Sequence, residues 1–112
     1  MPVAWISLEA ADNDLVRFFQ YLAAALDLLQ PGIVGVITPL LQSSEQTNTE
    51  AILTLLVNRL DNFQQDFALV LDDYHIIETI AIHEALAFLL DHLPPRMHLV
   101  LLTRADPPLP LA

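Results

Sequence analysis

Phe67-Ala68-Leu69-Val70-Leu71 runs without alternation into two adjacent carboxylates, Asp72 and Asp73, followed by Tyr74-His75. An unbroken apolar run of this length predicts a strand buried on both faces, which is how strands of a parallel sheet read. Parallel strands are joined by long crossover connections, usually helical. Carboxylates at the carboxyl end of such a strand then lie on the edge where open α/β folds bind their ligands.

The rest of the chain supplies matching parts. Val3 to Leu8 predicts a short buried strand, and Asp12 or Asn13 is placed to cap the helix after it. Leu15, Phe18, Phe19, Leu22, Leu26 and Leu29 recur at helical spacing, and Pro31-Gly32 ends that helix. Ile33 to Gln46 contains Pro39 and a polar tail, which predicts an irregular connection with at most a helical turn. Thr47, Asn48 or Thr49 can cap a second helix from Glu50 to Phe63. A third helix follows from Thr79 to Leu93, stopped by Pro94-Pro95, and a last apolar strand spans His98 to Thr103. The order strand, helix, helix, strand, helix, strand predicts an α/β domain with a parallel sheet and right-handed crossovers.

Composition narrows the partners. With 112 residues, 54% of them hydrophobic, and a mean hydropathy of +0.50, a single small domain is expected to leave apolar surface exposed to a partner. The formal net charge is −10, and the four cations are Arg17, Arg59, Arg96 and Arg104. They form no basic stripe, so direct nucleic-acid binding is not expected, and acidic membrane surfaces are disfavoured. There is no cysteine, which excludes disulfides and thiolate metal sites. No basic, apolar leader opens the chain, and no apolar run reaches the roughly 18 residues that span a bilayer. A soluble, cytoplasmic protein is expected.

Asp72 and Asp73 carry the chemical reading. An acid pair after a buried strand is the pattern of a Walker B segment: one carboxylate associates with Mg²⁺ and the next orients or deprotonates a water. The bland alternative is that Asp is common where a strand turns into a loop. A phosphate-binding loop needs a Gly-rich turn ending in Lys-Ser or Lys-Thr. This chain has no lysine and only Gly32 and Gly35. Thr103-Arg104 ends the last strand, where an arginine can meet a phosphate or pair with Asp106 or Asp73. His75, His83, His92 and His98 show no i, i+4 pair, so solvated or capping roles are expected rather than a metal. Ser7, Ser43 and Ser44 lack an adjacent base, and Trp5, Phe18 and Phe19 read as core.

With these segments placed, the chain resembles the amino-terminal ATPase domain of the maltose-regulator-like, LuxR-type transcription regulators, a branch of the signal-transducing (STAND) NTPases. The matching blocks are Val3-Ala4-Trp5-Ile6-Ser7-Leu8 with Asp12-Asn13-Asp14 and Arg17-Phe18; Leu69 to His75; Phe88-Leu89-Leu90 with Leu93-Pro94-Pro95; and Leu99 to Ala112. The resemblance implies a partial P-loop NTPase-like fold. Sheets of that group resemble the order 5-1-4-3-2; strands 2, 3 and 4 would be Val3–Leu8, Phe67–Leu71 and Leu99–Thr103, leaving a three-layer remnant ordered 4-3-2. It further implies Asp72 as the Mg-associated acid, Asp73 as a vestigial catalytic acid standing where many relatives have Glu, and Arg104 as the sensor arginine.

By the same resemblance the intact parent would use Mg-ATP, while no cofactor is expected on this chain alone. The leading expectation is a regulator fragment without ATPase activity of its own, self-associating through the 99–103 strand edge or joining the rest of a full-length regulator. Two alternatives are a nucleotide-binding protein completed by a P-loop from another chain, and an interaction module for a full-length regulator.

Overall fold

A computed structural model describes residues 1–42 and 49–103. Its elements are β1 (Val3–Ser7), a 3-10 turn (Ala10–Asn13), α1 (Leu15–Asp27), α2 (Ile33–Gln42), α3 (Thr49–Asp61), β2 (Phe67–Asp72), a second 3-10 turn (Tyr74–Ile76), α4 (Ile80–Asp91) and β3 (Met97–Leu101). The three strands form one parallel sheet, with Ala4 opposite Leu69 and Leu69 opposite Leu99. The α/β class and the parallel pairing are as expected from the apolar runs.

One expectation about the sheet is corrected. Its order, β1-β2-β3 with Phe67–Asp72 in the middle, puts the same three segments side by side as the 4-3-2 numbered with a further strand ahead of Val3. Each strand lies beside its neighbour in the chain, because a crossover helix packs back onto the strand it has just left. The correction concerns the layers, which among the described residues are two rather than three. Phe67, Leu69 and Leu71 share one core with buried residues of all four helices; Ala68 and Val70 are buried but stand outside that core. When strand order runs one way along a sheet, right-handed crossovers place every connecting helix on the same face.

The central strand behaves as its composition demands. Phe67, Leu69 and Leu71 are fully buried beneath the helices, while Ala68 and Val70 are covered to within 8% and 6% exposure on the other face. β1 alternates instead. Ala4 and Ile6 are buried, whereas Val3 and Trp5 are about half exposed. Trp5 is therefore not core, as its aromatic character suggested; Phe18 and Phe19 are.

The segment after Pro31 is a ten-residue helix, not an irregular connection. Ile33, Ile37 and Leu41, spaced by four, are its buried face, and Pro39 points away to solvent. Burying three large aliphatic side chains, at about 1.5–3 kcal/mol each, outweighs the roughly 3 kcal/mol that an interior proline costs. The turn into this helix is built by Asp27, whose Oδ1 accepts hydrogen bonds from the amides of Gly32 (3.0 Å) and Val34 (3.1 Å). Gly32 has φ +107°, a conformation that a side chain would strain. Thr49 opens α3 rather than preceding it; Thr47 and Asn48 lie outside the described residues. Among the described residues, no helix is long and apolar enough to cross a membrane.

Candidate functional site

The parallel register brings the carboxyl ends of the strands to one rim. Ser7 pairs with Asp72, the Leu8 amide donates to the Asp72 carbonyl (3.0 Å), and the Tyr74 amide donates to the Leu102 carbonyl (3.0 Å). Asp72 ends β2 and Asp73 follows at once, both half-buried. Asp73 has φ 60° and ψ 37°, the left-handed region. Only Gly, Asn and Asp enter that region readily, because a larger β-carbon substituent crowds the next carbonyl. Asp73 thus reverses the chain directly off the strand and starts the turn at Tyr74–Ile76, where the Ile76 amide donates to its carbonyl (3.0 Å). The turn-forming role of this residue type and its carboxylate coexist at one position.

Asn13 locks the two loops of this rim together. Its Nδ2 donates to the carbonyls of Ala10 and Ile76, each at 3.1 Å. Its Oδ1 accepts from the amides of Glu78 (2.6 Å) and Thr79 (3.2 Å), and its own carbonyl accepts from Thr79 Oγ1 (2.5 Å). The residue therefore caps α4, more than sixty positions away, instead of the adjacent α1. Thr79, at the N-cap position of α4, makes no side-chain cap of its own. Nothing in the local sequence signals this, because an Asn before a helix is the ordinary mark of a cap for that helix.

Asp12 is 2% exposed and also serves the rim. Its carboxylate accepts from the Glu9 amide (2.8 Å) and from Arg17 Nε (3.1 Å). Arg17 in turn donates to the Tyr21 hydroxyl (2.9 Å) and lies over the Tyr21 ring. The hydrogen bond to Asp12 and the neighbouring Tyr21 hold the Arg17 guanidinium above its usual pKa. This charge is structural: it neutralises a carboxylate that closes the 3-10 turn.

Tyr74 is hydrogen-bonded through its hydroxyl to His83 Nδ1, with the two rings edge to face at 5.3 Å. Burial raises the Tyr74 pKa above its usual 10.0. The unfolded chain then ionises this phenol at a lower pH than the folded one, so the folded state loses ground as pH rises from about 10 upward. Thermal unfolding of the wild type and Tyr74→Phe between pH 9 and 11.5 is expected to show a smaller alkaline decline in the variant. Parallel curves would show that another group carries the effect.

His75, His92 and His98 are exposed. His92 Nδ1 lies 2.9 Å from the Phe88 carbonyl and its ring stacks on Phe88, while His98 Nε2 lies 4.0 Å from Asp66. Among the described residues, no group of three His, Asp or Glu side chains could hold a metal unaided. Arg104 lies outside the described residues, as do Ser43 and Ser44. A surface cleft of about 410 Å³ is lined by Gln30, Asn62, Phe63, Gln64 and Gln65, next to the amino end of β2 and away from the acids.

No family model matches the chain. It is 39% identical over 110 residues to the HTH-type transcriptional regulator MalT of Serratia proteamaculans (strain 568), covering 98% of this chain and 12% of that protein. The MalT proteins of Yersinia pestis (strain Pestoides F) and Yersinia pseudotuberculosis serotype O:1b (strain IP 31758) are each 38% identical over the same length, with the same coverage. The chain thus spans about an eighth of the curated relatives it matches. Identity at this level along nearly all of the chain makes it similar to one segment of these HTH-type transcriptional regulators.

Proposed function

We propose that this chain is the acid-bearing part of an ATP-binding regulatory domain of a MalT-like transcription regulator, a P-loop NTPase-like unit that is silent by itself. The observation that carries the reading is the position of Asp72 and Asp73. They stand at the carboxyl end of the central strand of a parallel sheet, the edge where folds of this class take their ligands. The similarity to MalT proteins supports the same assignment.

Two half-buried carboxylates fit Mg²⁺, which takes one or two acids and completes its shell with water and phosphate oxygens. When bound, the ion would neutralise charge on the phosphates of ATP. Asp72, the last residue of β2, is the acid placed to hold it. Asp73, turned off the strand, is the acid placed to orient a water, and Arg104 is the candidate phosphate sensor. What these 112 residues do not provide is the cationic phosphate cradle, since no lysine occurs among them. The acidic balance also leaves DNA contact to other parts of such a regulator.

Among the described residues no strand pairs with the outer edge of β3, and Val100 and Leu101 beside it are 39% and 42% exposed. An edge of this kind takes a further strand, from a second copy or from the rest of a regulator. Calorimetric titration of the purified chain with Mg-ATP is expected to give no saturable signal below about 1 mM. Saturable binding in the micromolar range would refute the need for a cradle supplied from elsewhere. Loss of such binding in Asp72→Asn would then assign it to the rim.

A further inference from the structure

The end of the sheet opposite the acids carries a polar cluster of its own. The cleft of about 410 Å³ there is walled by the carboxamides of Gln30, Asn62, Gln64 and Gln65 and by Phe63. Its size falls within the roughly 300–1,000 Å³ of small-ligand pockets. Gln30 Oε1 is buried and has no hydrogen-bond partner among the described residues. Buried acceptors are nearly always paired, so this exception calls for a donor from elsewhere. The terminal torsion of a glutamine is soft, which lets that oxygen turn toward the cleft. Arg59 stands beside the same wall, one helical turn ahead of Asn62 and Phe63. Its Nη1 lies 3.8 Å from where a β-carbon on Gly32 would stand, and Gly32 is two residues from Gln30, at most about 7 Å along the chain. Arg17 pairs with Asp12 and Arg96 with Asp66, whereas Arg59 is half-buried and, alone among the described arginines, has no carboxylate at ion-pair distance. Asp27, the acid of the Gly32 turn, is engaged with the amides of Gly32 and Val34. A cation suits the carboxyl end of α3, where the helix dipole is negative. That explains the position of Arg59, but not an unpaired charge in a chain with 14 Asp and Glu.

We infer that this cleft binds the carboxyl end of a peptide, with Arg59 taking the terminal carboxylate. Each wall carboxamide presents N–H donors and a carbonyl acceptor side by side, which mirrors the peptide group. A guanidinium forks onto a carboxylate through two parallel hydrogen bonds. Phe63 is half-buried and supplies an apolar wall for the last side chain of the ligand. The lining itself carries no charge, so the single cation at its border selects one negative end on a neutral, amide-rich body. A phosphate group brings about −1.5 to −2 charges, more than one guanidinium balances. A polyol would match the carboxamides but leave Arg59 without a counter-charge. The site lies away from Asp72 and Asp73, and the inference is independent of the nucleotide reading.

The test titrates the full chain with acetyl-Ala-Ala-Leu bearing a free carboxylate, and with the same peptide amidated at its carboxyl end, followed by amide NMR without nucleotide. The free acid is expected to give saturable shifts centred on Gln30, Gly32 and residues 62–65. The amidated peptide should bind about tenfold more weakly, because it lacks the charge-assisted fork. Arg59→Gln should erase the difference between the two peptides while keeping the weaker binding. Should that variant lose its native circular dichroism, Arg59→Lys takes its place; it keeps the charge, loses the fork and should narrow the preference for the free acid. Gln30→Met removes the unpaired oxygen at similar side-chain length and should weaken both peptides alike. Equal binding of acid and amide by the wild type, shifts centred on Asp72 and Asp73, or no saturable shift would overturn the proposal. So would displacement of the peptide by an equal concentration of acetate, which would reduce the cleft to a simple anion site.

Discussion

Leu69→Ala is expected to lower the unfolding free energy by about 3–5 kcal/mol, the range for a large aliphatic truncated in a core that cannot collapse around it. Leu69 is fully buried in the middle of β2, with Ala4 opposite it on one neighbour and Leu99 on the other. Two strands flank the site and helices cover it, so the backbone has little room to close the cavity. Domains of this size are stable by only about 5–15 kcal/mol in total. The variant should therefore unfold at markedly lower urea, followed by circular dichroism. Val70→Ala is the internal comparison: Val70 sits on the next position of the strand but on the face that no described helix covers. A loss in Val70→Ala as large as that in Leu69→Ala would contradict the one-sided core.

Asn13→Ala is expected to cost about 2–3 kcal/mol, combining loss of a helix cap with amides and carbonyls left short of partners. The distinctive consequence is local. The amides of Glu78 and Thr79 lose their acceptor, so their hydrogen exchange should accelerate far more than that of α1 amides, although Asn13 lies next to α1 in the chain. Asn13→Asp keeps the accepting oxygens and adds negative charge at a helix amino terminus, and is expected to recover at least half of the loss. Faster exchange confined to the start of α1 would show that Asn13 serves its neighbouring helix after all.

The acid pair and its strand were legible because both obey local rules. Five apolar residues in succession cannot alternate between core and water, so Phe67–Leu71 had to be buried on both faces. An Asp following the strand accommodates the left-handed turn that the structure contains at Asp73. α1 was readable from its apolar residues at every third or fourth position, and α4 from the Pro94-Pro95 stop that bounds it. α2 was not, because Pro39 weighs against a helix within any local window. Its buried face exists only where Ile33, Ile37 and Leu41 meet the core.

Order along the chain thus determined the element types, the parallel pairing and the placement of two carboxylates on the carboxyl rim. These follow from hydrophobic period and from the handedness of crossovers, which act over a few residues or a single unit. Tertiary structure alone decided that the helices gather on one side, that Trp5 faces outward, and that Asn13 caps a helix more than sixty residues downstream. Those outcomes depend on which surfaces meet in space, and a side chain's hydrogen-bond partners are chosen by distance in the folded molecule, not by separation along the chain.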